Sequence, residues 1–536
     1  MSKSYDAIVI GGGHNGLINA AYLARAGKKV LVLERRHLVG GAAVTEEIFP
    51  GFKFSEFSYV VSLLRPEIIR ELELPKHGLE ILPLPSTFTP LENGDYIAFW
   101  DDHEETRKEI YRHSPRDADA YDEYGRLMYH IAKAVRPILS MIPGDPTSLS
   151  PRDLKSLLQL GRHMQNLGEE RFYDLYKLMT SSSADYLDEW FETDGLKGTK
   201  AASGIIGTFL GPRSPGTAYV LLHHYMGEID GAFRAWGFAK GGTGGISEAL
   251  ANAARAQGAE IRCNAPVAHI LVKNGRAVGV ALDNGDELYA NTIVSSLDPK
   301  RTFLKLIAEQ ELPSDFVHDI RRYKTRGSSG KVNLALDGLP KFTAMADAVR
   351  MSALRGAISI SPSVEHLERA YDDAKYGNFS RRPYMDMIIP SLIDPGMAPP
   401  GKHVASIFVQ YAPYTLNGGW NPSTSSGQAS PREAFGDAVI NTLAEFAPNI
   451  KDIILYRQVL TPWDVEQITG LTEGNIFAGE LALHQLFFLR PSPQWANYRT
   501  PVKNLYQCGS GTHPGGGIMG AGGRLAAMEI LKHGAG

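Results

Sequence analysis

The chain begins with an unbroken apolar run, Ala7-Ile8-Val9-Ile10, rather than an alternating one. Such a β-branched run predicts a parallel strand buried on both faces. Beyond the glycine-rich stretch Gly11 to Gly16 the apolar period changes. Leu17, Ala20, Ala21, Leu23 and Ala24 share one helical face over 17–26, and Gly27 stands where a left-handed cap is wanted. A second buried strand over 29–33 ends at Glu34.

The pattern recurs twice. The run Gly241 to Gly245 opens a helix over 246–257, followed by strands over 259–263, 267–272, 276–283 and 287–295. Asn274-Gly275 and Asn284-Gly285 carry the residue types of tight hairpin turns. Near the end, a strand over 505–508 enters Gly509 to Arg524, and a helix follows through Leu525, Ala526, Ala527, Met528, Ile530 and Leu531.

The order strand, glycine loop, helix, strand, acid specifies chemistry. Gly11, Gly13 and Gly16 satisfy GxGxxG: the first permits the tight turn, the second lets the backbone approach a pyrophosphate, and the third lets helix and strand pack closely. The helix amino terminus offers free N–H groups and a partial positive charge to phosphate. Glu34 is placed to accept from a ribose hydroxyl. A second glycine pair, Gly40-Gly41, comes soon after this acid, with Arg35 and Arg36 before it. More backbone donors beside an extended dinucleotide point to FAD. The closing glycine loop also leads to a helix amino terminus, able to stabilise negative charge on a reduced flavin.

At 536 residues the chain exceeds one hydrophobic core. The expected class is α/β: a Rossmann-type FAD-binding domain assembled from about 1–100, 235–300 and 498–536, with an inserted α+β substrate-binding domain from about 101–234 and 301–497. A net charge of −4 and a pI near 6.5 exclude a general nucleic-acid binder. The two cysteines, Cys263 and Cys508, exclude a CxxC redox pair and any cysteine-rich metal site, and no metal is expected. The first strand starts at about residue 5, so neither signal nor transit peptide is expected, and no apolar run is long enough to span a bilayer. A cytoplasmic protein is expected. The stretch 128–143 mixes apolar residues with Lys133 and Arg136. It fits either peripheral contact with a membrane or a buried helix of the second domain.

The blocks 7–21, 34–50 and 505–524, with Tyr219 to His224 and Gln410 to Leu416, resemble the phytoene desaturase (carotenoid and retinoid oxidoreductase) family of flavoproteins. The resemblance runs essentially end to end. It implies a two-domain FAD fold with the substrate domain over the isoalloxazine. By motif it carries over flavin contacts at Gly11, Gly13, Asn15, Gly16, Glu34, Arg35, Gly41 and Ala42, an adenine contact at Val267, and flavin-side contacts at Gly511 and Met519. Many relatives place an acid after the first glycine of the closing loop; here that residue is Ser510.

The implied function is hydride exchange between flavin N5 and an apolar, lipid-like or isoprenoid substrate, desaturating or saturating it, with positioning as the main catalytic device. His513 in the closing loop and His224 in an apolar run are candidates for a proton or polar contact, against satisfied core histidines; His14 fits a structural place in the first loop. Tyr411 and Tyr414, with Trp420, fit either a substrate-cavity wall or core packing. Two other readings remain: an amine oxidase, which shares this flavin architecture, and an FAD-bound regulatory protein that binds a protein partner and turns over little.

Overall fold

In the computed structural model, which describes residues 5–229, 232–233, 236–345, 347–421 and 430–533, strand Tyr5–Ile10 lies at the middle of a parallel sheet. It pairs with Val30–Leu33 on one side and Glu287–Ser295 on the other; Glu260–Arg262 and Leu505–Gln507 extend the sheet outward. Alternate residues of the same strands face opposite layers. Ala7, Val9, Val30 and Val32 pack with helices His14–Arg25, Thr243–Ala256 and Ala521–His533. Ile8, Ile10, Leu31 and Leu33 pack with Phe303, Phe316 and Ile320 of helices Pro299–Lys305 and Ser314–Arg322. Burial on both sides is why these strands are continuously apolar.

The first and mid-chain helices begin three residues earlier than predicted, at His14 and Thr243, because the loop glycines sit inside their first turns. Val267–Lys273 and Arg276–Leu282 form an antiparallel hairpin against the first half of Glu287–Ser295. Its turn holds Asn274 at φ 52° and Gly275 at φ 69°, the pair of left-handed residues a two-residue hairpin needs.

A second, seven-stranded sheet has the order Ile454–Leu460, Ser329–Leu336, His403–Gln410, Tyr384–Ile388, Ala357–Ile360, Ser86–Pro90, Tyr96–Trp100. The hairpin 86–100 therefore belongs with the inserted region, and the boundary placed near residue 100 moves back to before Ser86. Helix periodicity could not reveal this, because the pairing partner is Ala357–Ile360, far along the chain. On one face of the sheet Val332, Leu334, Ile358 and Ile407 pack with helix Pro431–Phe446. On the other face Lys331, Phe408 and Asp386 stand side by side on three neighbouring strands.

Residues 103–225 form a helical layer in which side-chain caps from Asp102, Ser114, Ser150 and Ser182 start four of the helices. The stretch read as membrane-facing or buried falls in helix Pro115–Leu139 and just beyond it. Met128, Ile131, Ala132, Val135 and Leu139 form the buried side of that helix, and Arg136 pairs with Glu228. Among the described residues no helix is long and apolar enough to cross a membrane.

Candidate functional site

A cavity of about 430 Å³ opens at the carboxyl ends of the parallel strands. Its floor is the first glycine loop. Gly11 has φ 93°, and a Cβ there would lie 2.5 Å from Ser296 Oγ. A Cβ on Gly16 would lie 2.2 Å from the Gly11 carbonyl oxygen, so this glycine allows the helix to start against the strand. Gly13 differs: a Cβ there meets nothing within 4 Å, and Gly13 lines the cavity. Its bare backbone is accessible to a ligand.

The second glycine pair closes onto the first loop. The Gly40 N–H donates to the Gly12 carbonyl at 2.8 Å, and Gly41 and Ala42 line the cavity. Glu34 is buried at the strand end; its carboxylate accepts from the N–H groups of Gly12 at 2.8 Å and Arg36 at 2.9 Å. Each oxygen keeps a further lone pair for a ribose hydroxyl. Arg35 lines the cavity and donates to the carbonyls of Gln467 and Ile468, and burial lowers its pKa from the usual value. Arg36 does not line the cavity and is bonded to Glu46, with Glu56 nearby. Val267 lies at the far end with Ala265 and Pro266. Backbone donors at a helix amino terminus, an exposed backbone at Gly13 and a carboxylate at the strand end fit the phosphates and ribose of FAD.

Asn15 donates to Ser510 Oγ at 3.2 Å, joining the first loop to the closing one. Ser510 lines both this cavity and a smaller one of about 130 Å³ beyond it; His14, Ala42 and Ile476 are also shared. Gly511 and Met519 lie behind that wall. The Gly511 carbonyl accepts from Tyr323 at 3.2 Å, and the Met519 carbonyl accepts from the Arg65 N–H at 3.1 Å.

The smaller cavity is walled by Phe57, Tyr59, Trp236, Phe408, Phe477 and aliphatic side chains, with His14, Ser58, Ser62, His224 and Ser510 as its polar groups. Among the described residues no carboxylate, lysine or arginine lines it. Tyr59 stacks on Phe408 with ring centroids 5.7 Å apart, and its hydroxyl donates to Asp386 at 3.0 Å. Burial raises the Asp386 carboxyl above its usual range.

The histidines separate. His224 lines this cavity, stacks on Trp236 at 5.8 Å, and donates from Nδ1 to the Val220 carbonyl at 2.9 Å. His513 does not line either cavity: its Nε2 donates to the Ile138 carbonyl at 3.0 Å and its ring packs edge-on against Phe487. Burial lowers both to about 4. His14 lines both cavities, its Nε2 lacks a partner among the described residues, and burial lowers it to about 4.

Tyr411 takes the core alternative, whereas Tyr414 is half-buried and stands outside the hydrophobic clusters. The Tyr411 hydroxyl donates to the Leu210 carbonyl at 2.6 Å, the Tyr414 hydroxyl bonds Glu466, and neither lines the smaller cavity. Trp420 packs against Phe379 and Phe435.

Lys331 escaped the sequence reading. It is 2% exposed, its Nζ lies 3.4 Å from the Ser58 carbonyl and 4.8 Å from the centre of the Tyr59 ring, and burial pushes its ammonium well below the usual range. The available signal was a lone cation in the otherwise apolar and small run Ser329 to Leu336.

Residues 16–531 match the family model of flavin containing amine oxidoreductases. The chain is 43% identical over 99% of its length to pyridine nucleotide-disulfide oxidoreductase domain-containing protein 2 of Rattus norvegicus, covering 94% of that protein. It is 30% identical to one of the subunits of limonene dehydrogenase from Castellaniella defragrans, over 99% of this chain and 95% of that one. A putrescine oxidase structure with putrescine bound superposes with a TM-score of 0.61 at 16% identity, covering 99% of each chain.

Proposed function

The chain belongs to the flavin containing amine oxidoreductase family, whose cofactor is FAD, and we propose that it exchanges a hydride between this flavin and a neutral, apolar, isoprenoid-like substrate. The observation that carries this reading is the smaller cavity. It adjoins the FAD cavity across His14, Ala42, Ile476 and Ser510, it is walled by aromatic and aliphatic side chains, and no charged side chain lines it among the described residues. An ammonium substrate placed there would lose its hydration without gaining a carboxylate. The limonene dehydrogenase relative, at 30% identity, is named for an apolar terpene, which supports the same class.

Bound flavin supplies the two-electron exchange at N5. The chain supplies position and dryness. Phe408 and Tyr59 form a flat wall fixed by the Tyr59–Asp386 bond. His224 is held neutral by burial, which outweighs the opposing pull of the Val220 carbonyl, so it adds a polar edge without charge. Lys331, whose affinity for its proton is lowered by burial, stands behind Ser58 and Tyr59 as a group able to hold or release a proton.

Amine oxidation is the second reading, favoured by the aromatic walls and by the family description. Anaerobic mixing of the holoprotein with limonene, a long prenyl alcohol and putrescine separates the two. Bleaching of the flavin by a terpene and not by putrescine supports the proposal; the reverse pattern supports amine oxidation.

A further inference from the structure

Arg490 is fully buried, and every hydrogen bond it makes goes to a backbone carbonyl. Nε donates to Thr512 at 3.2 Å. Nη1 donates to Glu480 at 3.1 Å and Gln485 at 3.4 Å. Nη2 donates to Phe477 and Gly479 at 3.1 Å each and to Ser510 at 2.8 Å. Among the described residues no carboxylate pairs with it. Glu480 contributes only its carbonyl, because its carboxylate is taken by Arg326 at 2.6 and 2.8 Å.

The place of this cation gives it a consequence. Phe477 and Ser510, two of the residues whose carbonyls it gathers, line the substrate-side cavity, and Ser510 lines the FAD cavity as well. The guanidinium thus stands one peptide behind the wall where the two cavities meet. A trans peptide points its N–H opposite its carbonyl, so drawing in the Ser510 carbonyl turns the Gly511 N–H away from Arg490. The carbonyls satisfy the donors, but their fields are dipolar and fall off faster than that of the net charge. Beyond the first shell, a buried monopole persists where screening by salt and water is weak. Its reach is visible in neighbouring groups: after burial itself, Arg490 is among the causes that lower His223 and His513.

We propose that Arg490 is a positioning residue that sets the reduction potential of the bound flavin: its uncompensated charge favours the reduced cofactor, which carries more negative charge than the oxidised one. The inference rests on FAD binding alone and is independent of the substrate class.

The test is the midpoint potential of the FAD-loaded protein, measured by anaerobic dye-linked titration on the wild type, Arg490→Gln, Arg490→Lys and Glu480→Gln. Arg490→Gln is expected to shift the potential negative, and Arg490→Lys to stay near the wild type. Glu480→Gln leaves every Arg490 bond in place, since these reach the carbonyl, and removes a nearby negative charge; it is expected to shift the potential positive. Shifts of opposite sign cannot come from loosened packing. An unshifted potential in FAD-loaded Arg490→Gln overturns the proposal. If Arg490→Gln fails to fold or to retain FAD, Glu480→Gln decides: a positive shift supports the proposal, and no shift or a negative one overturns it.

Discussion

The Glu34 carboxylate accepts the backbone N–H of Gly12 at 2.8 Å, so the acid at the end of the second strand also fixes the shape of the glycine loop that precedes it. A single side chain thereby shapes the phosphate cradle and stands ready for the ribose. Removing it in Glu34→Ala costs a charge-assisted hydrogen bond, about 1.5–3 kcal/mol each. FAD affinity is expected to fall at least about tenfold. Titration of apoprotein with FAD, followed by flavin fluorescence, measures this; wild-type affinity in the variant would contradict the assignment.

Two glycines of the same loop separate folding from binding. A Cβ at Gly16 would meet the Gly11 carbonyl oxygen at 2.2 Å, so Gly16→Ala forces strand and helix apart and is expected to lower Tm, at about 1–3 kcal/mol for overpacking. A Cβ at Gly13 meets nothing within 4 Å but enters the cofactor cavity. Gly13→Ala is expected to keep the apoprotein Tm and to weaken FAD binding. Thermal melts with and without FAD distinguish the pair.

Acid should destabilise the fold through its buried histidines. His224 and His513 are lowered from 6.5 to about 4, so between those values the unfolded chain binds protons that the native chain does not. Stability is therefore lost as pH falls through that window, by about 1.4 kcal/mol per pH unit for each such group. Chemical denaturation at a series of pH values should show this slope, reduced by about one proton in His513→Phe. An unchanged slope would mean that His513 is protonated in the native state.

Lys331 acts with the same sign at higher pH. Burial holds its folded pKa well below 10.5, so the unfolded chain binds more protons and stability rises with pH across the interval between the two values. Lys331→Met is expected to lack this rise, to melt higher at neutral pH, and to reduce its flavin more slowly with substrate. A lower Tm in the variant would show that the ammonium is stabilised in place by the Tyr59 ring.

Much of the lining of the larger cavity was legible in the sequence because its parts are local. Gly11 to Gly16, Glu34 and Gly41 act within a few residues of backbone, so spacing alone places them together. The smaller cavity was not legible, because much of its wall is assembled across the second sheet. Phe408 and Asp386 meet only through strand register, Lys331 joins them from a third strand, and Tyr59 packs onto them from a loop far away in sequence. His513 shows the converse limit. It lies in the closing loop by sequence, yet its ring turns to the Ile138 carbonyl of a distant helix. Tyr411 and Tyr414 fall in an aromatic-rich stretch, and only their partners, Leu210 and Glu466, reveal that they turn away from the smaller cavity.

The most direct test of the account is an absorption spectrum of the purified, FAD-reconstituted protein, followed by anaerobic titration with apolar terpenes and then with primary amines. Oxidised-flavin bands that bleach with a terpene and stay unchanged with putrescine are the expected result. Bleaching by putrescine alone, with hydrogen peroxide released when air is admitted, would contradict the neutral-substrate reading.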